Sequence, residues 1–319
     1  GYILDAASLE KSLSEHPDAR GLLITNPCNP TGACLTEEEI EAIGNVVAAH
    51  NEQRSVQGKK PLIVLADETF RNLMWEFSMD FSRNESAANE PHRSHPAKQN
   101  FISLAACKKL APYTISINSF SKDFSPGIAF AYAYGAPELI SKIPMIDGAS
   151  PLAQQYAANT FSAEKIHEVE KHLSASCRQI MLSYALCVKL LHRINDNLKK
   201  KFECDEDPIT IPVVPVAGFN IALDFSKLAG YRTSDGHALH SGMDITRALM
   251  EQQKLITYPD ELFYMNGEDM MVRISLHTEK LEATMKRIDA FCQSLQPPEK
   301  GIIKSSKIIG HSGPELGVA

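Results

Sequence analysis

Three times in its first half the chain runs from a short apolar stretch straight into a tight group of polar, reactive side chains, and this pairing constrains the fold more than anything else in the sequence. Leu22-Leu23-Ile24-Thr25 stops at Asn26-Pro27-Cys28-Asn29-Pro30-Thr31-Gly32, where proline ends any strand. Leu62-Ile63-Val64-Leu65-Ala66 stops at Asp67-Glu68-Thr69-Phe70 and reads as a strand buried on both faces. Thr114-Ile115-Ser116-Ile117 leads into Ser119-Phe120-Ser121-Lys122-Asp123-Phe124-Ser125-Pro126-Gly127. In open α/β sheets ligands bind beyond the carboxyl ends of the strands, so the three groups are expected to meet at one site.

Helical signals fill the gaps. Thr36-Glu37-Glu38-Glu39 is a capping box in which Leu35 can staple onto Ile40, and Ile40, Ile43 and Val47 continue one apolar face. Ala129 to Tyr134 reads as a further strand. Strands alternating with helices predict an α/β fold, a mostly parallel sheet flanked by helices. Residues 83–98 are polar, with two prolines and two histidines, and read as an exposed loop. From Ser162 to about Lys200 the pattern is helical, with a kink or a passage between domains expected inside it. After Asp207-Pro208 the text changes to short strands, Ile209 to Val216 and Gly218 to Leu223. Helices follow over about Met243 to Gln253 and Glu279 to Leu295. We therefore expect a large domain over 1–175, a smaller α+β domain over 176–298, and a tail over 299–319 to which no structure is assigned.

Composition narrows the function classes. The chain has 319 residues, 44% hydrophobic and 22% charged, with a net charge of −7, so nothing favours a nucleic-acid partner or an anionic membrane surface. No apolar run has the length of a membrane span. Seven scattered cysteines without a CxxC pair point to reduced thiols and a cytoplasmic protein. The chain opens at Gly1 in what reads as mid-domain sequence, and an incomplete N-terminus is expected.

Taken singly, each motif has an ordinary reading: a proline-braced turn, a helix cap, a solvated lysine. Together, in this order, they resemble the fold-type I pyridoxal-phosphate (PLP) enzymes of the class I/II aminotransferase family, from about Tyr2 to about Leu295. The resemblance implies PLP as cofactor, α-amino acids and 2-oxo acids as substrates, and a homodimer. It implies that Lys122 binds the cofactor as a Schiff base and carries the proton between the substrate Cα and the cofactor. Asp67 would pair with the pyridinium nitrogen and keep the ring an electron sink. Asn29 would hydrogen-bond the ring 3′ oxygen, and Ser119, with Ser121 a weaker candidate, would contact the phosphate. Met271-Val272-Arg273-Ile274-Ser275-Leu276 also matches: Arg273 would grip the substrate carboxylate, a task for a planar guanidinium fork. Gly218-Phe219-Asn220 resembles the strand that approaches the substrate side chain.

The chain also departs from the family. Phe70 stands where the family has a tyrosine that donates to the 3′ oxygen. The lysine motif is one residue shorter, and Ala129 stands where a phosphate-gripping arginine belongs, a contact of the kind that contributes roughly 1.5–3 kcal/mol. The family's glycine-rich phosphate turn and ring-stacking aromatic precede the point at which this chain begins. The leading reading is an aminotransferase. A PLP-dependent lyase or decarboxylase on the same scaffold, and a non-catalytic regulatory domain derived from it, stay open.

Overall fold

The computed structural model describes residues 3–75, 100–124, 127, 129–144, 148–263, 269–276 and 279–298; the expected 83–98 loop and the 299–319 tail lie outside them. Helix α1 (Ala6–Glu15) starts where the Asp5 carboxylate accepts from the Ser8 amide at 2.8 Å and from the Ser8 hydroxyl at 2.7 Å. Strand β1 (Gly21–Thr25) ends at the first motif. Helix α2 (Glu37–Val56) carries the expected capping box. The Glu39 amide donates to the Thr36 hydroxyl at 3.3 Å, and the Thr36 amide donates to the Glu39 carboxylate at 2.8 Å. Three glutamates in its first turn meet the positive end of the helix.

Strands β2 (Ile63–Asp67) and β3 (Thr114–Ser119), the short helix α3 (Phe120–Asp123) and strand β4 (Ala131–Gly135) complete the first sheet. Its order is β1-β2-β3-β4, the first three parallel and β4 antiparallel. Ile24, Val64 and Ala66 pack against Ile40, Ile43 and Val47 of α2 and Leu9 and Leu13 of α1. Each of the valine, leucine and isoleucine side chains contributes about 1.5–3 kcal/mol on burial. One expectation is corrected. β2 is not buried on both faces, since Leu65 is 36% exposed, and its β1 neighbour Leu23 is 67% exposed. Side chains alternate across a strand, and these two leucines point away from the face that α1 and α2 cover.

After α4 (Pro137–Ile140) and α5 (Pro151–Thr160), α6 runs unbroken from Ile166 to Phe202. No kink interrupts it, contrary to expectation; the chain leaves the helical conformation only before it, at 161–165. Buried residues at 177, 180, 184, 187, 191, 194 and 198 alternate by three and four, a single helical face. Glu203, left-handed at φ 53°, ends the helix beside Lys199, Lys200 and Lys201, cations suited to its negative end.

The stretch Ile209 to Val216 is not the strand expected; among its residues only Thr210 bridges to Asp224. Pro208, Pro212 and Pro215 remove the amides that a ladder needs. The second sheet consists of β5 (Asn220–Asp224), β6 (Tyr258–Pro259) and β7 (Met271–Ser275), ordered β5-β7-β6 and antiparallel throughout. Helices α7 (Gly242–Gln253) and α8 (Leu281–Ser294) lie where helices were expected. Ile221, Leu223, Val272 and Ile274 form one apolar cluster with Leu191 and Ile194 of α6, Leu249 of α7 and Ile288 of α8. A separate small cluster of Phe70, Leu73 and Cys177 joins the loop after β2 to the N-terminal half of α6.

Candidate active site

The first motif is a closed turn tied to the approach to β5. The Gly32 amide donates to the Cys28 carbonyl at 2.8 Å, and the Cys28 amide to the Ala33 carbonyl at 2.7 Å. The buried Asn26 side chain accepts from the Leu35 amide at 2.9 Å. Gly32 is left-handed at φ 69°, and its carbonyl accepts from the amides of Val216 (2.9 Å) and Ala217 (3.1 Å). This turn aims Asn29 at the second sheet. Its Oδ1 accepts from Arg273 Nη1 at 3.2 Å and from Asn220 Nδ2 at 3.4 Å.

Asp67 is the last residue of β2, in register with Thr25 on β1 and Ile117 on β3, and its Oδ1 accepts from the Thr69 amide at 3.1 Å. Phe70 is buried edge-on against Phe219, with ring centroids 5.2 Å apart. It also lies against left-handed Gly218, where a Cβ would approach the ring to 3.4 Å. Lys122 is exposed on α3, its Nζ 5.9 Å from the Phe70 ring centroid. It makes no ion pair among the described residues. Its neighbour Asp123 turns inward and accepts from Asn72 Nδ2 at 2.7 Å. Burial pushes that carboxyl above the usual range, with Asn72 and Arg71 pulling the other way. Ser119 caps α3: its hydroxyl accepts from the Ser121 amide at 3.1 Å and donates to the Phe130 carbonyl at 3.2 Å. Ala129 is exposed and left-handed at φ 48°.

Arg273, central on β7, lies half-buried between two rings, its Cζ 4.1 Å from the centroid of Tyr258 and 5.2 Å from that of Phe263. Burial pulls the guanidinium below its ordinary value, and no described carboxylate pairs with it. Contacts thus run from Lys122 to Phe70, to Phe219, to its neighbour Asn220, to Asn29 and to Arg273. Asp67, Ser119 and Ser121 make no hydrogen bond to that series among the described residues.

Three residues near the site carried no signal that the sequence reading used. Tyr258 and Phe263 flank Arg273 only because of strand register and a following turn. Glu68 is fully buried and accepts from the Ser103 hydroxyl (2.7 Å), the Leu104 amide (3.0 Å) and the Tyr134 hydroxyl. Burial, then Glu68, raises the Tyr134 phenol above its ordinary value. A glutamate directly after a strand-ending aspartate was the available hint, because a charge carried that far inward needs partners. Among the described residues no three metal-ligating side chains gather.

A mostly parallel sheet with reactive groups at its strand ends, facing a small antiparallel sheet that presents an arginine, is the fold of the PLP-dependent aminotransferases. Solved structures share it. The aspartate aminotransferase of Rhizobium meliloti superposes with a TM-score of 0.66 at 20% identity, over 93% of this chain and 63% of that one. The N-succinyldiaminopimelate aminotransferase of Mycobacterium tuberculosis gives 0.64 at 21%, over 91% and 62%. The chain belongs to the aminotransferase class I and II family, whose sequence profile matches residues 1–288. Its relatives include a protein of Rickettsia felis described as a probable aspartate/prephenate aminotransferase, 23% identical over 298 residues. Another is a bifunctional aspartate aminotransferase and glutamate/aspartate-prephenate aminotransferase of Petunia hybrida, 23% identical over 306 residues. These alignments take in 92% and 93% of this chain but only 61% and 53% of the relatives' lengths.

Proposed function

We infer that the protein carrying this chain is a PLP-dependent aminotransferase that moves an amino group between an α-amino acid and a 2-oxo acid. The observation that carries the reading is the contact of Arg273 with Asn29 across the two sheets. It leaves a half-buried, desolvated guanidinium with no described anion beside it, next to the turn of the first motif. An arginine of this kind favours an external carboxylate.

The donor set fits the cofactor at the ring end. Lys122 offers an amine with no ion pair among the described residues, Asp67 a carboxylate at a strand terminus, and Asn29 an amide. At the phosphate end the fit is thinner: the Ser119 hydroxyl already serves Phe130 and Ser121, and Ala129 brings no cation. The bound cofactor supplies an electron sink for the charge that develops at the substrate Cα. In this reading Asp67 holds a proton on the ring nitrogen, Lys122 moves the proton at Cα, and Arg273 orients the carboxylate. Phe70, buried and without a hydroxyl, shields one side of the lysine from water.

The reading extends to the whole protein as a cytoplasmic homodimer, with seven free cysteines consistent with a reducing compartment. In this reading the chain divides into domains at 175/176, in line with two main apolar clusters, with Trp75 of the first part packed into the core of the second. The test is direct. Full-length protein with added PLP should absorb in the visible and convert an amino acid to its 2-oxo acid only when an acceptor oxo acid is present. Lys122→Ala should lose both properties. Release of ammonia or CO₂ in place of acceptor-dependent transfer would point to the lyase or decarboxylase. Borohydride trapping of PLP on Lys108 or Lys109 would overturn the lysine assignment.

A further inference from the structure

We propose that Tyr258 is a positioning residue, holding the Arg273 guanidinium edge-on to Asn29 so that the arginine meets a substrate carboxylate already oriented. The inference rests on the reading of Arg273 as the carboxylate-binding group and adds a determinant on a strand of only two residues, β6.

Register creates the contact. Tyr258 lies directly opposite Arg273 in the antiparallel β6/β7 pair, and Ala222 lies opposite it on β5. Side chains paired this way stand close enough to touch, and alanine is too short to compete for the guanidinium. The arginine therefore leans to the tyrosine side, where its Cζ rests 4.1 Å from the ring centroid. Stacking occupies the faces of a planar guanidinium and leaves its edge N–H groups free. One of these donates to Asn29 at 3.2 Å, so ring and amide fix two different directions of the same group. Tyr258 is itself 46% exposed, so burial gives only a partial reason for a large aromatic here. An arginine is flexible, and freezing it before the ligand arrives removes an ordering cost from binding.

The experiment measures propionate binding to PLP-loaded full-length protein, read as the shift of its visible band, in five forms. These are the unaltered protein, Tyr258→Phe, Tyr258→Leu, Tyr258→Gln and Arg273→Ala. With the ring face removed, Tyr258→Leu and Tyr258→Gln should bind propionate about tenfold more weakly, in line with a partly desolvated cation–π contact. Tyr258→Phe should stay within about twofold of the unaltered protein, because the face and not the hydroxyl makes the contact. PLP affinity should be the same in all four tyrosine-site forms, which a general loosening of the fold would not allow. Two polar and apolar replacements are included so that one misfolded variant does not decide the matter. Wild-type propionate affinity in the Leu and Gln forms, with binding lost in Arg273→Ala, would overturn the positioning role and leave the arginine reading standing. Equal weakening in Tyr258→Phe and Tyr258→Leu would also overturn it. Undiminished binding in Arg273→Ala would remove the reading of Arg273 itself.

Discussion

Replacing Gly32 by alanine tests how tightly the first motif is joined to the second sheet. Two independent costs arise. At φ 69° an L side chain is strained, by about 1–2 kcal/mol. In addition, a Cβ at this position would stand 2.6 Å from Pro215 Cβ and 2.7 Å from the Ala217 carbonyl oxygen, well inside van der Waals contact. The oxygen cannot simply withdraw, because the Ala217 amide is bonded to the Gly32 carbonyl at 3.1 Å and Val216 beside it at 2.9 Å. Overpacking of this kind costs about 1–3 kcal/mol. The sum is about 2–5 kcal/mol, a fall in melting temperature of roughly 3–8 °C for a chain of this size. Gly58 provides the control. It has nearly the same backbone at φ 67° but nothing within 4 Å of a Cβ, so Gly58→Ala should show the backbone cost alone. Thermal unfolding of the two variants, followed by circular dichroism, separates the terms. Should Gly32→Ala lower the melting temperature no further than Gly58→Ala, the collision is absent and the joint between turn and sheet is looser than described.

Two other outcomes are expected. In PLP-loaded protein, Phe70→Tyr should move the pH midpoint of the visible band downward, since a hydroxyl donating to the cofactor's anionic oxygen stabilises its charged form; an unchanged or higher midpoint would mean that Phe70 does not face that oxygen. Asp260, buried in the turn after β6, has its carboxyl pushed up to about 7, by burial first and then by Glu261. The folded state therefore keeps a proton that the unfolded chain releases near the ordinary carboxylate range, and stability falls as pH rises toward 7. Asp260→Asn keeps the shape without the charge, so its melting temperature should exceed that of the unaltered protein at pH 8 and the advantage should vanish near pH 4; an advantage independent of pH would refute this.

Much of the first sheet was legible because each apolar run ends at a residue that cannot continue it, Asn26-Pro27 or Asp67, and because Thr36 and Glu39 announce α2 chemically. An apolar run without alternation cannot say which of its faces is covered, so the exposure of Leu65 was not readable. Ile209 to Val216 misled because its valines and isoleucines outweighed the prolines between them. Strand β6, two residues long, has no period to detect. At the site, the motifs identified Asn29, Asp67 and Lys122 as candidates, but their relation to Arg273 came only from family resemblance. The Arg273–Asn29 contact joins residues 244 apart, and no local pattern encodes it. Tyr258 and Glu68 escaped for the same reason, since their importance lies in a neighbour distant in sequence.

Helix α6 is also a lever. Its 37 residues span about 55 Å at 1.5 Å per residue. About a third of the way along that rod the packing changes hands: Cys177 sits under Phe70, whereas Ile180, Leu191, Ile194 and Leu198 belong to the core of the second sheet. A bend of only about 5° at the midpoint would swing the far end by about 2 Å, since each arm is about 28 Å long. The Arg273–Asn29 hydrogen bond, 3.2 Å long, has no slack for that displacement. The stiffness of one helix, set by an unbroken apolar stripe with no proline or glycine in it, thus governs whether the two halves of the site stay in reach of each other.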